Sequence, residues 1–278
     1  MPVLRPTSAA QAAQMLADDP NAQLLAGGTD FMVEVNFNHR KPATVISLGG
    51  IEELRTVSPT PSGFRIGAGV TWGEIEKGTL ADRLPALAQA ARTVGSPQIR
   101  AAGTIGGNLG TCSPAGDGLP VLAATEATVH LLSTIGERSL PFSEFMTGPK
   151  RSARRPDEII TAVTVPELDG GQGYAKVGVR NAMVISIASA CLAIHSGRVR
   201  IALGSVGPTV IRATQAEDWL DRLNAVPGRA VTPAVAREFG SRVAEEARPI
   251  DDHRSTAAYR THAISVIARR LLERSTRP

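Results

Sequence analysis

The sequence predicts an α+β protein of two domains, and three observations support this fold class. Helical and strand-like segments do not alternate regularly along the first part of the chain, which argues against a doubly wound parallel sheet. The proline- and glycine-rich segment PELDGGQG at 166–173 is the best linker candidate. Beyond it, three strand-like segments precede three helical ones. We therefore expect one domain at 1–170, with subdomains at about 1–56 and 57–170, and a second domain at 174–278.

The first subdomain is predicted to contain two helices and two strands. The first helix has Thr7 as its expected N-cap and stops at Pro20. A short apolar strand follows at 22–26, and a second helix is predicted over 29–42. The apolar segment ATVISL at 43–48 indicates a buried strand.

The second subdomain is predicted from its caps and glycines. A strand at 64–69 leads into Thr71 and Glu74, which have the spacing of a capping box. One long helix is expected over 80–95. The segment 95–120 has seven glycines and three prolines, so we expect a structured binding loop with no regular element. After it, the pattern predicts a helix at 119–127 and strands at 127–133 and 158–165.

The second domain has a simpler order. Short polar turns separate its strand-like segments, which indicates an antiparallel meander. The predicted strands are 174–180, 184–195 and 198–206. The predicted helices are 213–223, 233–246 and 254–274.

Composition excludes several classes of protein. The 278 residues are 42% hydrophobic, without an 18-residue apolar run or a secretory signal pattern, so we expect a cytoplasmic protein with no membrane span. The two cysteines are too few for a disulfide framework or a protein-held iron–sulfur cluster. Both are interpreted as buried core residues, with a redox role for Cys112 as the weaker alternative.

Charge is distributed unevenly. Residues 1–170 carry 14 Lys and Arg against 17 Asp and Glu, a net of −3, whereas residues 171–278 carry 16 against 9, a net of +7. The basic residues are scattered and aromatic residues make up only 4% of the chain, which argues against nucleic-acid binding. Docking onto a protein partner is the favoured use of this charge. The basic segment 150–155 is interpreted either as a partner-docking patch or as a solvated loop.

Two glycine-rich segments carry the candidate chemistry. Residues 26–30, AGGTD, lie between a predicted strand and a helix start, so their backbone amides can meet an anion. The alternative is an ordinary strand-to-helix turn that needs glycine. Residues 104–108, TIGGN, are followed by hydroxyl side chains that can bind phosphate and by a carboxylate, Asp117, that can bind ribose hydroxyls.

Other catalytic patterns are absent from the sequence. The glycines at 67–73 have the spacing G-x-G-x-x-x-G, which is not the dinucleotide fingerprint, and no P-loop occurs. The five histidines form no metal-binding pattern, and no nucleophile motif is present. We therefore expect no metal ligand on this chain.

The two glycine-rich segments together resemble the paired FAD-pyrophosphate loops of a known family. They are similar to those of the flavoprotein (medium) subunits of the xanthine dehydrogenase and carbon monoxide dehydrogenase family of molybdenum hydroxylases. The resemblance covers almost the whole chain. It continues through YAKVGVRNA at 174–182, LGSVGPTVIRATQAEDWL at 203–220 and DDHRSTAAYRTHAISVIARRLL at 251–272.

The resemblance implies a fold and a set of FAD-binding residues. It implies a PCMH-type (vanillyl-alcohol-oxidase-like) FAD-binding domain of two subdomains, and a C-terminal domain with a three-stranded antiparallel sheet and a three-helix bundle. Ile185 is expected to pack over the isoalloxazine face, Lys176 to lie near the flavin ring and Ile160 to make an apolar contact. The implied cofactor-binding set is Ala26, Gly27, Gly28, Thr29, Asp30, Thr104, Ile105, Gly106, Gly107, Asn108, Thr111, Ser113, Asp117, Ile160, Lys176 and Ile185.

Two positions depart from the pattern of animal xanthine dehydrogenases. Val94 stands where those enzymes have an aromatic ring, and Met183 stands where they have an acidic residue. Both differences weaken any prediction that NAD is the final acceptor.

The resemblance implies an electron-transfer subunit, in which the flavin performs the redox chemistry, so we expect no catalytic acid or base on this chain. FAD on this chain is expected to pass electrons from [2Fe–2S] clusters on a small partner subunit to an external acceptor. Molybdopterin is expected on a large partner subunit. The complete complex is expected to be a dimer of heterotrimers. The alternatives are a stand-alone FAD oxidase or dehydrogenase, which binds its substrate directly over the flavin, and a flavin-free binding module.

Overall fold

The first 56 residues form a small parallel sheet against one helix. The computed structural model describes residues 2–223 and 231–276, so the outer ends of the two predicted domains, residues 1 and 278, lie outside it. The elements here are β1 (Val3–Leu4), α1 (Ala9–Asp18), β2 (Gln23–Leu25), α2 (Phe31–Asn36), β3 (Val45–Ser47) and a 3₁₀ turn (Glu52–Arg55). The strands are parallel in the order β1-β3-β2, which confirms both predicted strands.

Helix α1 is capped one residue later than predicted. The Ser8 hydroxyl, not that of Thr7, accepts the Gln11 N–H at 3.1 Å. The Thr7 N–H instead donates to the Gln11 side chain at 2.7 Å. Thr7 and Ser8 both precede the helix and both carry a hydroxyl. Ser8 is the cap because it lies three positions before Gln11, whose N–H has no acceptor within the helix.

The next part of the chain surrounds a five-stranded antiparallel sheet. Its order is β4-β5-β10-β6-β7, with a separate two-stranded hairpin, β8-β9. The predicted capping box between Thr71 and Glu74 is confirmed. The strands are β4 (Val57–Thr60), β5 (Gly63–Gly67), β6 (Thr128–Ser133), β7 (Gly136–Pro141), β8 (Met146–Gly148), β9 (Arg151–Ser152) and β10 (Ile159–Pro166). The helices are α3 (Trp72–Ile75), α4 (Gly78–Arg83), α5 (Pro85–Thr93), α6 (Pro97–Ala102), α7 (Ile105–Thr111), α8 (Gly118–Ala124) and α9 (Phe142–Phe145).

The single helix predicted over 80–95 is wrong, because the chain breaks it into α4 and α5. Leu84 lies between them at φ −125° and ψ 60°, outside the helical region. The following residue, Pro85, disfavours helical geometry in the residue before it and begins α5 itself.

The expectation of a loop without regular elements over 95–120 is also wrong. Two short helices, α6 and α7, occupy half of it, and their N-caps are the hydroxyls of Ser96 and Thr104. Glycine is tolerated inside α7 because the helix packs tightly. A Cβ at Gly106 would lie 2.5 Å from the Ala68 Cβ.

The rest of the chain forms an antiparallel sheet covered by three helices, as expected. The strands are β11 (Gln172–Val177), β12 (Ala188–His195), β13 (Arg198–Gly204) and β14 (Ile211–Arg212). The helices are α10 (Thr214–Arg222), α11 (Pro233–Glu246) and α12 (Ala257–Ser275). The three predicted strands are present, but β12 begins at Ala188, four residues later than expected, and β14 adds a fourth, two-residue edge strand. The expected strand at 174–180 ends at Val177, which is the last residue that pairs with β12.

This sheet is covered on both faces. Leu192 and Ile194 of β12 join the core beneath α10–α12, whereas Cys191 and Ala193 join the core of the preceding five-stranded sheet. Cys112 is buried in the same core, so both cysteines are core residues as interpreted. Burial on two faces explains why β12 is apolar at nearly every position.

The free edge of β11 is covered by α5 from the preceding part of the chain. The Gln89 Oε1 atom accepts the Tyr174 N–H at 2.8 Å. The Gln172 Oε1 atom accepts the Ala86 N–H at 3.2 Å. One glutamine thus accepts a hydrogen bond from the edge of β11, and the other accepts one from the first turn of α5.

The start of α12 is tied to two strand ends by a buried arginine. Arg260, only 4% exposed, donates to the backbone carbonyls of Ile187 and Ser205 and to the Asp252 carboxylate. Partial burial raises the pKa of Asp252, but hydrogen bonds from the Arg254 amide and the Arg260 side chain outweigh it and lower the pKa to about 2.

We expect Asp252→Asn to lower the free energy of unfolding by about 1–2 kcal/mol at pH 7, through the lost charge-assisted hydrogen bond. A depressed carboxyl pKa stabilises the fold above the unfolded value near 3.8, and this contribution disappears as pH falls towards 2. Urea unfolding between pH 3 and 8 would measure the difference. The exposed Asp82→Asn serves as control, and an equal loss at every pH would contradict the prediction.

Candidate flavin site

The two predicted glycine segments lie directly against each other. The turn at 26–30 joins β2 to α2, and its Gly27 packs on the backbone that leads into α7. A Cβ at Gly27 would lie 1.8 Å from the Ala102 carbonyl oxygen and 3.0 Å from the Gly103 Cα. A side chain there would force the two segments apart, so glycine is required by the close approach itself.

Further contacts align the two segments. A Cβ at Gly107 would lie 3.8 Å from the Ala26 Cβ. The Thr111 hydroxyl donates to the Asp30 carboxylate at 3.4 Å, and Thr29 Oγ1 lies close to Gly103. The two segments that the sequence predicts to form one site are therefore adjacent in the structure.

The turn at 26–30 presents backbone donors. Within the described chain, the N–H groups of residues 27–30 have no hydrogen-bond acceptor. The N–H groups at the start of α7 are engaged: Gly106 donates to the Ala68 carbonyl at 2.9 Å and Gly107 to the Thr104 hydroxyl at 2.9 Å. Free amides beside a glycine cradle suit a pyrophosphate. The first segment therefore offers the donors, and α7 offers the close backbone surface.

Asn108 joins α7 to the segment that carries Asp117. Its side-chain nitrogen would lie 2.7 Å from a Cβ at Gly116, and its oxygen 3.0 Å from one at Gly118. That oxygen is buried without a partner among the described residues. The Ser113 hydroxyl accepts the Ala115 N–H at 3.3 Å, a local hydrogen bond that stabilises the turn after α7.

Asp117 is buried, and two side chains donate to its carboxylate while a third hydroxyl lies nearby. The Lys176 ammonium donates to Oδ2 at 2.6 Å, and the Tyr174 hydroxyl donates to Oδ1 at 2.8 Å. The Thr93 hydroxyl lies 3.3 Å from Oδ2. Burial raises the pKa of the Asp117 carboxyl, and the Lys176 charge opposes that rise. Neither Tyr174 nor Thr93 was in the predicted set, although Tyr174 stands two residues before Lys176 in a predicted strand and so shares its face.

Lys176 uses all three of its protons on the protein. Besides Asp117, its ammonium donates to the Thr93 carbonyl at 2.8 Å and to the Val184 carbonyl at 3.1 Å. These bonds tie β11 to the end of α5 and to the loop after β11. With these bonds in place, Lys176 offers a neighbouring group its charge and no further hydrogen bond.

The two predicted apolar contacts differ in exposure. Ile160 is buried, and its Cδ1 atom would lie 3.9 Å from a Cβ at Gly110 in α7. Ile185 is 52% exposed on the loop that Lys176 ties down at Val184. Ile160 therefore lies under the α7 segment, and Ile185 presents an open apolar surface.

A basic cleft of about 460 Å³ continues past the end of α7. It is lined by Gly110, Thr147, Lys150, Arg151, Ser152 and Arg154. Lys150 donates to Glu34 of α2 at 2.7 Å, and its backbone N–H donates to the Cys112 carbonyl at 3.0 Å. Arg154 donates to the Glu158 carbonyl at 2.5 Å. Part of the basic segment 150–155 thus supports the fold.

These groups fit an extended FAD. Free amides lie beside a glycine cradle, a buried carboxylate follows along the α7 segment, and Ile160 and Ile185 add apolar surface. Among residues 2–223 and 231–276, no cluster of His, Cys, Asp or Glu has the grouping of a metal site. No helix in those ranges is long and apolar enough to cross a bilayer.

Comparison with known proteins agrees with this assignment. Residues 1–168 match the family model of the FAD binding domain in molybdopterin dehydrogenase, and residues 174–275 match that of the CO dehydrogenase flavoprotein C-terminal domain. The fold and the site thus define the FAD-binding flavoprotein component of an oxidoreductase.

Relatives extend the match over the whole chain. The glyceraldehyde dehydrogenase medium chain of Sulfolobus acidocaldarius is 30% identical over 270 residues, which cover 95% of this chain and 94% of that one. The nicotine 6-hydroxylase medium subunit of Paenarthrobacter nicotinovorans is 30% identical over 284 residues, covering 98% and 97%. A solved structure of carbon monoxide dehydrogenase from Hydrogenophaga pseudoflava, which lacks the Mo-pyranopterin moiety of the molybdenum cofactor, superposes with a TM-score of 0.90 at 27% identity over 99% of this chain and 96% of that chain.

This chain belongs to the family of FAD-binding medium subunits of the xanthine dehydrogenase and carbon monoxide dehydrogenase group of molybdenum hydroxylases. The predictions of the family, of the fold, of FAD as cofactor and of an oxidoreductase are confirmed.

Proposed function

We propose that this chain is the electron-transfer subunit of a molybdenum hydroxylase, which passes electrons from [2Fe–2S] clusters on a partner subunit through FAD to an external acceptor. The observation that carries the proposal is the end-to-end match to chains named as medium subunits. Two such relatives are matched over 94% and 97% of their own length. A chain that matches a medium subunit throughout and binds FAD has the parts needed for an intermediate step of electron transfer.

The proposed binding mode follows from the site. The free amides of residues 27–30 would hold the pyrophosphate, with Gly107 allowing close approach. The Asp117 carboxylate would accept hydrogen bonds from FAD hydroxyls, and Ile185 would cover part of the ring. FAD itself supplies the redox chemistry when bound. The residues of this chain orient it and exclude water, and no side chain is assigned a proton-transfer step.

The proposed partners are a large molybdopterin-binding subunit and a small [2Fe–2S] subunit, in a dimer of heterotrimers. Relatives named as medium chains or subunits support the existence of such partners. The positive charge of residues 171–278 supplies one surface for docking. A cytoplasmic location and a domain boundary near residue 170 remain predictions.

Affinity purification of this chain from its native host tests the proposal. We expect a large and a small protein to co-purify, with flavin absorbance, iron–sulfur absorbance and molybdenum in one complex. Reduction of that complex by substrate would bleach the flavin only after the iron–sulfur bands respond. Flavin in a chain that purifies alone and is reduced directly by a substrate would contradict the relay and favour a stand-alone flavoenzyme.

A further inference from the structure

Strand β11 aims two side chains at the same carboxylate. Tyr174 and Lys176 are two residues apart, so they lie on one face of the strand. Both point out of the C-terminal sheet towards Asp117 at the start of α8. The two oxygens of this carboxylate are therefore held by the other half of the molecule.

The two donors are not equivalent. Asp117 Oδ2 receives the Lys176 ammonium at 2.6 Å and lies 3.3 Å from the Thr93 hydroxyl. Asp117 Oδ1 receives only the Tyr174 hydroxyl, at 2.8 Å, among the described residues. Donors on both oxygens restrain the plane of the carboxylate, and the Tyr174 hydroxyl thereby helps to set the direction of the lone pair that remains on Oδ1.

The Tyr174 hydroxyl is suited to donate permanently. It is fully enclosed between the two halves of the chain, and its residue is 5% exposed. Burial raises the pKa of this phenol well above its ordinary value, and the Asp117 charge raises it further. The Ser189 and Thr93 hydroxyls oppose this rise, but the net shift is upward, so the hydroxyl keeps its proton at any physiological pH and donates it to Asp117.

We propose that Tyr174 is a positioning residue of the flavin site, whose hydroxyl orients Asp117 and keeps it ionised so that it accepts a hydrogen bond from an FAD hydroxyl. This inference rests on the proposed role of Asp117 in binding FAD. It adds a residue that touches no part of the cofactor and acts through the carboxylate. It also makes FAD binding depend on a tyrosine from the C-terminal sheet.

The test is FAD binding by the full-length Tyr174→Phe protein, measured by fluorescence of released FAD. We expect the Kd to rise about tenfold at pH 7.5, the size of one lost hydrogen bond to a charged group. The two titratable groups that face Asp117 are Lys176 and Tyr174. Without the hydroxyl the pKa of Asp117 rises, so affinity should begin to fall at a higher pH on acidification than in the wild type.

Matched variants separate positioning from packing. Tyr259→Phe changes the other tyrosine of the chain, which is 49% exposed, and should leave both Kd and pH profile unchanged. A packing defect would weaken binding equally at every pH. In an Asp117→Asn background, Tyr174→Phe should add less than about a twofold effect, because the route through the carboxylate is already lost.

Three outcomes would overturn the inference. They are wild-type affinity in Tyr174→Phe, an unshifted pH profile, and a full additional loss in the Asp117→Asn background. Failure of the proposed function would give a different result. A wild-type chain that binds FAD but accepts no electrons from an iron–sulfur partner would contradict the electron-transfer role. The effect of Tyr174→Phe on FAD binding could still be measured in that chain.

Discussion

Gly27→Ala is expected to abolish FAD retention. The added methyl carbon would lie 1.8 Å from the Ala102 carbonyl oxygen, and its three nearest neighbours are all backbone atoms of Ala102 and Gly103, so no flexible side chain can move aside. The turn at 26–30 must then move away from α7, which separates the pyrophosphate donors from the glycine surface opposite them. We expect the Kd for FAD to rise at least about 100-fold, close to 3 kcal/mol. Flavin content after purification and a fluorescence titration would measure it.

Two other glycines supply the controls for this prediction. Gly50→Ala meets no atom within 4 Å and should bind FAD normally. Gly107→Ala is tight only against the Thr104 hydroxyl, at 3.1 Å, so the protein should fold around it. A loss of FAD binding in a folded Gly107→Ala protein would then show that the added methyl group blocks the close approach of the cofactor. Wild-type affinity in a folded Gly27→Ala protein would contradict the proposed pyrophosphate site.

Lys176→Met is expected to destabilise the protein by about 3–5 kcal/mol at pH 7.5, because it leaves the buried Asp117 carboxylate without its counter-charge. The loss should shrink at lower pH. The folded-state pKa of Asp117 is already raised by burial, and removal of Lys176 raises it further. A raised carboxyl pKa means that the folded protein holds the proton more tightly, so stability falls as pH rises. Urea unfolding at pH 5 and 7.5 would measure the change.

Two variants test the cause of this loss. Lys176→Met combined with Asp117→Asn removes both charges, and it should recover most of the stability at pH 7.5. Lys77→Met changes an exposed lysine and should have little effect. A loss that is independent of pH and is not recovered in the double variant would show that the ion pair is not its source.

The element pattern was predictable where one local rule acted alone. Pro20, the Thr71–Glu74 capping box and the apolar segment of β3 each indicated the element that the structure contains. Prediction failed where two rules competed. Helical periodicity suggested one helix over 80–95, but Pro85 interrupts it. The glycine content of 95–120 suggested a loop, but two capped helix starts and close packing produce α6 and α7.

The site was predictable as two segments but not as an assembled geometry. The glycines of 26–30 and 104–108 indicated backbone exposure, and the structure shows that Gly27 is required by another stretch of protein backbone. Such long-range contacts leave no signal in local spacing. Tyr174 is the instructive omission: its alternation with Lys176 was visible, but the carboxylate that both reach is 57 residues away from Tyr174 along the chain.

The glutamine contacts along the edge of β11 bear on cooperativity. The edge of β11 is hydrogen-bonded to α5, and without α5 its backbone groups would be free to pair with a strand of another molecule. The C-terminal sheet also shares its core with the FAD-binding part, through Cys191 and Ala193. The sequence pattern changes near residue 170, but the parts before and after it share one core and are therefore not expected to unfold independently. The two halves should melt in one transition, and residues 174–278 expressed alone should self-associate along an uncovered edge.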